Sequence, residues 1–584
     1  MAVLEMIISV ITQRPSTGWQ SLPDTWPTSI RKILAARGIR QQQDVSYPLA
    51  ELPKPEQLLG MDEAVSLLIQ ALTGNWRIMI VADFDTDGAT SCALAIRGLR
   101  AMGAKNIDYI VPNRFIHGYG LTPALLAEIT PEGQPDLLIT VDNGIASIAG
   151  VATAQQRGMK VLVTDHHLPG KILPAADAIV NPNQVGDDFP SKNLAGVGVC
   201  FYLLLGLRQR LRQLGWFEQQ SITEPNLMHL TDLVALGTVA DVVKLDRLNR
   251  TWVSLGLARI KAGKSCAGIN ALMTIAGKDV TQCVSSDMGF AVGPRLNAAG
   301  RLDNMGIGID SLLTDDAAVA LSLATQLDDI NQKRREVEQT MQDDALTQLE
   351  KMALGNQVVP LAYCLYDDTW HQGVVGLLAS RIKEKQHRPV IAFAPSHDDE
   401  IKGSARSIPG VHIRDVLALV ATMAPDILSH FGGHAMAAGL TIAKKDLADF
   451  HRLFLVALKD MIDPESLNKQ RLSDGELSAQ EMTSALAEQL PHIAPWGQGF
   501  PEPQFHGVFQ VEAIKLVGQL QNHLRLTLRL EDHRMVTAMA FGQCLPEWLQ
   551  KGQKALLRYR LNINEFRGVR QLQLLVEEVL PVPE

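Results

Sequence analysis

Three features are scarce in this 584-residue chain: paired cysteines, long apolar runs and an excess of positive charge. The six cysteines are scattered without Cys-x-x-Cys spacing, which argues against a thiolate zinc site and predicts free thiols in a reducing cytoplasm. The apolar run near the N-terminus is too short to span a bilayer and lacks a basic flank, so we expect no membrane or targeting segment. The net charge of −9 argues, on its face, against a nucleic-acid partner.

The distribution of charge weakens that last objection. Residues 505–584 hold 10 Lys and Arg against 8 Asp and Glu, so the acidic excess lies in the rest of the chain. A basic surface in this last part is compatible with an acidic whole.

Acids and histidines stand where strands are predicted to end. Residues 78–82 are followed by Asp83, Asp85 and Asp87, residues 137–141 by Asp142, and residues 161–164 by Asp165, His166 and His167. Segments of helical length separate these runs, and this alternation predicts a parallel α/β sheet. Ligands of such sheets bind beyond the carboxyl ends of the strands, so we expect the polar groups to converge on one crevice.

The types of these side chains indicate the class of metal. Carboxylates with one or two imidazoles suit Mg²⁺ or Mn²⁺, whereas structural zinc favours thiolates. The carboxylates are too many for one ion, so two ions that share a bridging aspartate are predicted. Paired ions clamp the attacking and leaving oxygens of a phosphoryl displacement.

Two simpler interpretations compete with a catalytic metal centre. The spacing of Asp83, Asp85 and Asp87 also begins a calcium-binding helix-loop-helix, but Leu94 stands where that loop needs a bidentate Glu, and a strand precedes it. The acids could instead cap the helices that follow the strands. Capping alone is a poor explanation, because three acids within five residues repel one another unless a cation neutralises them.

The chain is long enough for about four domains. Apolar residues at spacings of three, four and seven predict a long helix at 315–354. The predicted order is a helical lead-in at 1–55, an α/β domain at 56–314, the connecting helix at 315–354, a smaller α/β domain at 355–460, a turn-rich linker at 461–504 and a C-terminal domain at 505–584.

The last 80 residues have the period-2 alternation of half-buried strands. Leucines alternate with Arg525 and Arg529 in one segment, and with Arg558 and Arg560 in another. Several short strands with arginines and aromatics suggest a small barrel of the OB type, which binds single strands through backbone charge and stacking on rings. An ordinary solvated sheet face is an equally good explanation of the alternation alone.

Six motifs occur in the order seen in the DHH/DHHA1 phosphoesterase family, and the chain resembles the branch of bacterial single-strand-specific exonucleases within it. They are Asp83-x-Asp85-x-Asp87-Gly88, Asp142-Asn143-Gly144, Asp165-His166-His167, Leu236 to Asp241, Gly293 to Arg301, and Phe431 to Gly439. A lone Asp-His-His would be weak support, but six motifs in order are specific. The resemblance covers nearly the whole chain after about residue 30.

The resemblance implies a 5′→3′ exonuclease that removes 5′-mononucleotides from single-stranded DNA in recombination and repair. The implied fold is a parallel-sheet DHH domain joined by a long helix to a smaller α/β DHHA1 domain, followed by an OB-type β-barrel. Mn²⁺ or Mg²⁺ would be the cofactor. Single-stranded DNA, a single-strand-binding protein and a DNA helicase would be the partners.

The resemblance also assigns roles residue by residue. The implied metal ligands are Asp83, Asp85, Asp87, Asp142, His166 and Asp241. His167 would face the scissile phosphate, and Arg301, with Arg295, would lie near the charge of the transition state. Arg114, Ser404 and Arg406 would hold the terminal 5′-phosphate.

His434 follows two glycines and precedes a stretch of small apolar residues, which we predict to be a helix whose N-terminus could bind an anion. In the resemblance this motif marks the second catalytic-core domain, which closes over the DNA.

Three other functions stay open. A related enzyme acting on short oligonucleotides, cyclic dinucleotides or pyrophosphate would be shorter and lack the barrel. A non-catalytic binding factor of a replication complex would be expected to have lost some of the acids and histidines that are all present here. An RNA exonuclease is not excluded, since nothing visible in the sequence reads a 2′-hydroxyl.

Overall fold

The computed structural model describes residues 11–355, 359–397, 399–518, 521–566 and 568–582. The chain forms two compact units. The first contains the described residues up to 300, residues 304–327, and the described residues from 471 onward. The second contains residues 301–303 and the described part of 328–470. In the part of the chain that is described, no helix is long and apolar enough to cross a membrane.

The strands are β1 (Ile11–Gln13), β2 (Ile78–Ala82), β3 (Ile107–Ile110), β4 (Leu137–Val141), β5 (Lys160–Thr164), β6 (Ala178–Val180), β7 (Tyr363–Tyr366), β8 (Val390–Pro395), β9 (Glu400–Arg406), β10 (His430–Gly433), β11 (Ala437–Ala443), β12 (Arg471–Ser473), β13 (Phe505–Val517), β14 (His523–Arg529), β15 (Met535–Ala540), β16 (Lys554–Phe566) and β17 (Val569–Leu580).

The helices are α1 (Thr28–Ala35), α2 (Met61–Thr73), α3 (Thr86–Ala101), α4 (Pro123–Ala127), α5 (Ile148–Gln156), α6 (Gly196–Gln213), α7 (Trp216–Gln219), α8 (Thr231–Ala240), α9 (Arg247–Lys261), α10 (Ala267–Ile275), α11 (Ser285–Asp287), α12 (Gly293–Leu302), α13 (Gly306–Leu313), α14 (Ala317–Gly355), α15 (Val375–Gln386), α16 (Ile413–Met423), α17 (Leu447–Met461) and α18 (Ser484–Gln489). A π-helix, Met288–Val292, separates α11 from α12.

A five-stranded parallel sheet organises the first unit, in the order β3-β2-β4-β5-β6. All five residues of β4 are buried, as expected for a central strand that is covered on both faces. The parallel α/β prediction is confirmed. The helix that follows the first acidic loop starts at Thr86, so the loop leads straight into α3.

The C-terminal strands close into a barrel in the order β13-β14-β15-β17-β16. Pairing of β13 with β16 closes it, and β15 and β17 form its one parallel contact among the described strands. Inward residues of β14 such as Leu524, Leu526 and Leu528 are buried, whereas Arg525 and Arg529 point outward. The predicted OB-type barrel is therefore confirmed.

The second unit has its own mixed sheet, ordered β10-β11-β9-β8-β7. Only β7 and β8 are parallel in it. The long helix predicted at 315–354 is α14, at Ala317–Gly355. The stretch after His434 does not form the predicted helix, because Ala437–Ala443 is strand β11, which pairs with both β9 and β10. Small residues carry little preference of their own, and pairing on both sides decides the conformation.

The turn-rich linker is predicted at 461–504, and from β12 onward this stretch belongs to the first unit. Trp496 and Phe500 are buried with their rings stacked at 5.2 Å, and the Arg250 guanidinium lies 4.3 Å from the Phe500 ring centre. The Ser285 hydroxyl donates to the Trp496 carbonyl at 2.7 Å. The stretch packs on its neighbours because it carries large apolar side chains, such as Trp496 and Phe500, among its turn residues.

Residues 1–10 of the predicted helical lead-in lie outside the described residues, and residues 11–55 are helical mainly in α1, with short 3₁₀ turns elsewhere. Its strand β1 pairs in parallel with β12. Next to this pair, Arg37 contacts both carboxylate oxygens of Asp474, at 2.7 and 3.0 Å, and Arg14 lies 3.1 Å from the same group. The Asp474 side chain is 0% exposed and that of Arg37 2%, so this ion pair is buried.

Candidate metal centre

Three acids follow residues that are aligned across neighbouring strands. Ala82 of β2 pairs with Val141 of β4, which pairs with Thr164 of β5. The next residues along the chain are Asp83, Asp142 and Asp165, and all three are buried. The register of the sheet therefore brings together side chains that are far apart in the sequence.

The other two acids of the first loop are held by helix N-termini. The Asp85 side chain caps α3 by accepting from the Gly88 amide at 3.0 Å. The Asp87 carboxylate accepts from the Gly196 and Val197 amides, at 2.6 and 2.9 Å, where α6 begins. A helix N-terminus stabilises a negative charge, so Asp87 is oriented by α6 as well as by its own helix.

His166 and Asp241 complete the cluster. The His166 Nε2 atom lies 3.2 Å from Asp142 Oδ1 and 3.5 Å from Asp241 Oδ2. Asp241 is the residue that ends α8. Three sets of donors each have their ligand atoms within 4.8 Å of one another, and they are Asp83 with Asp85 and Asp142, Asp87 with His166 and Asp241, and Asp142 with His166 and His167.

The described cluster is short of positive charge. Asp142 Oδ1 and Asp241 Oδ2 are buried without a hydrogen bond. Burial, and then repulsion by neighbouring acids, raises the pKa of Asp83, Asp142 and Asp241 well above the usual range, and raises the pKa of Asp87 to about 7. Buried carboxylates facing one another in this way fit divalent cations, and oxygen donors with imidazole fit Mg²⁺ or Mn²⁺.

Backbone geometry adds to the construction of the site. Asp142 has a φ of 62°, an uncommon value for a residue other than glycine and one that recurs at functional sites. The adjacent Asn143 amide donates to the carbonyls of Val81 and Val141, at 3.0 and 2.9 Å, and so ties the ends of β2 and β4 together.

Two glycines let helices approach the acidic loop. A Cβ atom at Gly237 of α8 would lie 2.3 Å from Thr90 Oγ1 and 2.8 Å from Asp87 Oδ1. A Cβ atom at Gly300 of α12 would lie 1.8 Å from the Phe84 carbonyl oxygen. Neither position can hold a side chain without moving the loop that carries the acids.

His167 is paired with Asp165 at the edge of the cluster. Its Nδ1 lies 2.7 Å from Asp165 Oδ1, and Asp165 also accepts from the Ile145 amide at 2.9 Å. Burial alone would lower the pKa of His167, but the hydrogen bond to Asp165 raises it to about 9. In the metal-free protein this pairing favours the charged imidazole at neutral pH.

Tyr119 contacts the same histidine. Its hydroxyl lies 3.4 Å from His167 Nδ1 and donates to the Asp142 carbonyl at 3.2 Å, and the two rings meet edge to face at 5.9 Å. Burial of the hydroxyl, and then the nearby Asp83, raises its pKa, so it stays protonated. Tyr119 lies between Gly118 and Gly120, whose φ angles are 76° and 72°.

Arg114 lies on the same side of the first unit. Its guanidinium is 4.1 Å from the Phe84 ring centre, a cation–π distance. Burial lowers its pKa, although Asp83 and Asp85 act in the opposite direction. The structure therefore brings Arg114 close to the acidic loop.

The two α12 arginines differ in their surroundings. Arg295 is buried and its Nη1 donates to the Ala291 carbonyl at 2.7 Å, so this nitrogen holds the helix backbone. Arg301 belongs to the second unit, where its Nη1 donates to the Gly373 carbonyl at 3.2 Å.

Ser404 and Arg406 are adjacent on β9 in the second unit. Arg406 Nη1 donates to Ser404 Oγ at 2.9 Å, and burial lowers the pKa of this arginine. A Cβ at Gly376, in the first turn of α15, would lie 2.8 Å from Arg406 Nη2 and 3.0 Å from Ser404 Oγ. Both side chains therefore border a helix N-terminus. His434 is exposed in the turn between β10 and β11.

The barrel arginines fall into two pairs. Arg525 and Arg529 are exposed on β14, and Arg529 lies 2.9 Å from Glu512. On β16, Arg558 lies 3.3 Å from Glu578, its cross-strand neighbour on β17. Arg560 lies 2.6 Å from Glu502 and 2.9 Å from Glu577.

The predicted basic face is thus partly neutralised within the protein. The alternation of residues predicted the outward direction of these arginines but not their acidic partners, which come from elsewhere in the chain.

Sequence reasoning placed Asp165 among the converging groups without a role of its own, and did not single out Tyr119 or Asn297. Asp165 orients His167, Tyr119 contacts His167, and the Asn297 side chain accepts from both the amide and the hydroxyl of Thr86, at 2.8 and 2.9 Å. Asp165 and Asn297 lie inside quoted motifs, which was the available signal. No pattern marks Tyr119.

The raised carboxylate pKa values predict how stability changes with pH in the metal-free protein. A carboxyl whose pKa is higher in the folded than in the unfolded state stabilises the fold while it is protonated, and this contribution is lost as the pH rises through the folded pKa. With the pKa of Asp87 near 7 and those of Asp83, Asp142 and Asp241 also raised, we expect the melting temperature in a chelator to fall between about pH 5 and about pH 8. Mn²⁺ should raise the melting temperature more at pH 8 than at pH 5. An equal rise at both values would contradict a carboxylate site.

Three family profiles match this chain, in the order DHH, DHHA1 and OB along the sequence. The profile described as "DHH family, N-terminal domain" matches residues 77–238, the DHHA1 domain matches residues 357–460, and the RecJ OB domain matches residues 473–578. The single-stranded-DNA-specific exonuclease RecJ of Dickeya dadantii (strain 3937) is 48% identical over 579 residues, which cover 98% of this chain and 100% of that protein.

Two solved RecJ structures are similar to this chain over 98% of its length. The crystal structure of RecJ from Thermus thermophilus in complex with Mn²⁺ has a TM-score of 0.78 at 29% identity and covers 98% of this chain and 79% of that one. The Mg²⁺ complex from the same organism has a TM-score of 0.73 at 27% identity and covers 98% and 78%. With its three domains in the same order and near-complete alignment, the chain belongs to the RecJ family of DHH and DHHA1 domain proteins.

Proposed function

We propose that this protein is a 5′→3′ exonuclease that hydrolyses single-stranded DNA to 5′-mononucleotides with two divalent metal ions, in recombination and repair. The observation that carries the proposal is the convergence of Asp83, Asp142 and the His166–His167 pair at aligned strand ends, in a chain that matches single-stranded-DNA-specific exonucleases along its length.

The residues that would hold the ions are Asp83, Asp85, Asp87, Asp142, His166 and Asp241. The structures of the Thermus RecJ contain Mn²⁺ or Mg²⁺, and the oxygen-rich donor set here suits either ion. Such ions, when bound, supply Lewis acidity at the phosphate and lower the pKa of water.

His167 supplies the proton donor next to these ligands. Asp165 holds the imidazole by Nδ1 and favours its charged form, and a protonated second ring nitrogen would donate to a phosphate oxygen as negative charge develops. Arg114, near Asp83 and Asp85, is a second cation for the substrate phosphate. Arg295 and Arg301 are proposed to stabilise transition-state charge, in keeping with their motif.

Replacing Tyr119 by Phe tests whether its hydroxyl positions His167. The change removes the hydrogen bond to the Asp142 carbonyl and the polar contact with the histidine, so we expect kcat to fall by about 10- to 100-fold with KM little changed. Steady-state kinetics on single-stranded DNA measure both values. Tyr109→Phe is the matched control, because its hydroxyl bonds Asp310 at 2.6 Å outside this cluster. Equal kcat values for the two variants would remove the role of Tyr119.

Ser404 and Arg406 are proposed to bind the 5′-phosphate of the strand. The support is their position beside the first turn of α15, since a helix N-terminus and a guanidinium both favour phosphate. A requirement for a terminal phosphate would give the enzyme its polarity. His434 in its exposed turn is proposed as a further DNA contact.

Arg406→Ala should therefore lower the preference for 5′-phosphorylated over 5′-hydroxyl DNA by at least about tenfold, because a hydrogen bond to a charged group is lost. The ratio of kcat/KM for the two substrates is the measurement. Arg452→Ala, at a side chain 66% exposed on α17, is the control and should leave the ratio unchanged. An unaltered ratio in Arg406→Ala would show that the phosphate is held elsewhere.

The barrel is proposed to hold the strand that has yet to be cut. Arg525 and Arg529 are the more exposed of its four predicted arginines, whereas Arg529, Arg558 and Arg560 are paired with acids and would have to exchange partners. A single-strand-binding protein and a helicase are proposed as partners, and the cytoplasm as the location, where six free thiols remain reduced.

The direct test uses a single-stranded DNA oligomer labelled at either end, with Mn²⁺ or Mg²⁺, beside matched duplex DNA and RNA. Release of a labelled mononucleotide from the 5′ end of the single-stranded DNA alone is expected. Activity confined to dinucleotides or to RNA, or binding without hydrolysis, would overturn the proposal.

A further inference from the structure

Two large apolar side chains are exposed directly beside a candidate metal ligand. Val242, the residue after Asp241, is 62% exposed, and Phe290 on the π-helix is 81% exposed. The π-helix packs closely on α8, because a Cβ at Gly289 would lie 3.4 Å from Val239 Cγ1. We call Val239, Val242, Val243 and Phe290 the apolar shelf.

The apolar shelf forms one wall of a cavity of about 360 Å³. The same cavity is also lined by Trp496, Pro501 and Glu502 of the segment that leads into the barrel, and by Arg560 of the barrel itself. All of these residues belong to the first compact unit. The cavity therefore lies between the segment that carries Asp241 and the barrel.

The backbone is unusual on both sides of the shelf. Val242 has a φ of 62°, in the left-handed region that a β-branched residue rarely adopts, at the position after a helix end where glycine is preferred. Phe290 lies in a π-helix, a rare form that is frequent at functional sites. A valine in a strained conformation and a phenylalanine held in solvent do not serve the stability of the fold, which points to a ligand.

We propose that the apolar shelf binds an unpaired nucleobase of the DNA strand, with the base stacked on Phe290 and contacting Val242. This inference rests on the proposed exonuclease function. Val242 is covalently next to Asp241, about 3.8 Å away between Cα atoms, so the shelf adjoins a residue proposed to hold a metal ion. The cavity is lined both by Arg560 of the barrel and by Val242 next to Asp241, which favours a strand that contacts the barrel and the metal ligands together.

A base fits the shelf better than a sugar or phosphate does. Every nucleobase has a flat face that stacks on an aromatic ring, so the contact does not depend on sequence, as an exonuclease requires. The bases of a duplex are already stacked and paired, and so the shelf would favour single strands. The arginine in the cavity is engaged by Glu502 and Glu577, which leaves the shelf itself apolar.

The test combines Phe290→Ala with oligonucleotides that carry one abasic site at successive positions. On intact single-stranded DNA we expect Phe290→Ala to weaken binding by about 5- to 100-fold, measured as Kd in Ca²⁺ without turnover. At one abasic position the wild type should lose a similar factor while Phe290→Ala loses almost nothing more, because the same contact is removed twice. Phe541→Ala, at a phenylalanine 59% exposed on the barrel, is the matched control and should be additive at that position.

A second variant separates binding from folding. Val242→Gly relieves the left-handed backbone, so its melting temperature should equal or exceed that of the wild type while its Kd for single-stranded DNA rises. Additive losses at every abasic position, or a Kd for Phe290→Ala equal to that of the wild type, would overturn the inference. Failure of the wild type to degrade single-stranded DNA would instead refute the exonuclease function, so the two failures are distinguishable.

Discussion

Asp142→Asn is expected to lower the rate of DNA hydrolysis by at least about a thousandfold, since the Lewis acidity of a bound metal contributes several kcal/mol. Asp142 belongs to two of the three donor sets, with Asp83 and Asp85 on one side and His166 on the other. A neutral asparagine amide at this position should weaken metal binding by both donor sets. Release of 5′-labelled mononucleotide in Mn²⁺ measures the loss.

The same variant should remain folded. Burial disfavours the charged form of Asp142, so a neutral side chain should keep or raise the melting temperature of the metal-free protein while abolishing its rise on adding Mn²⁺. Asp108→Asn, at an exposed carboxylate on β3, is the control and should keep both activity and the Mn²⁺ response. Near-normal turnover by Asp142→Asn would contradict the metal centre.

Asp474→Ala is expected to cost about 3–5 kcal/mol of stability, the largest loss we predict for a residue outside the metal centre. The change leaves Arg37, 2% exposed, without its bidentate partner and removes the contact with Arg14. Urea denaturation of the full chain measures the loss.

Asp24→Ala removes a surface pair of similar length and is the control. Asp24 is 94% exposed and lies 2.7 Å from Arg31, so we expect a loss below about 1 kcal/mol. Equal losses in the two variants would show that the buried pair does not fasten β12 and the barrel segment to the N-terminal part of the first unit.

The general position of the metal centre could be predicted because it depends on strand ends. Apolar runs followed by acids are visible in the sequence, and parallel strands bring their carboxyl ends to one edge. The alignment of Ala82, Val141 and Thr164 could not be predicted, since register depends on packing between strands. The role of the α6 N-terminus in holding Asp87 could not be predicted either, because Asp87 and Gly196 are far apart in the chain.

Local pattern and tertiary contact disagree at several other places. The residues after His434 have no strong local preference, and pairing with β9 and β10 makes them a strand rather than a helix. Turn residues between 495 and 503 suggested a linker, but Trp496 and Phe500 are buried. The outward direction of Arg558 and Arg560 was correct, while their partners on β17 and at Glu502 depend on contacts that alternation does not encode.

The pairing of β1 with β12 means that the first unit is built from both ends of the chain. Arg37 and Asp474 are separated by 437 residues, so at a synthesis rate of about 5–20 residues per second the arginine waits roughly 20–90 s for its partner to leave the ribosome. During that interval the parallel sheet of the first unit can form, because its strands β2 to β6 lie between residues 78 and 180. The nascent protein therefore carries an open strand edge and an uncompensated cation, and chaperones that shield such segments would act on it before its barrel is made.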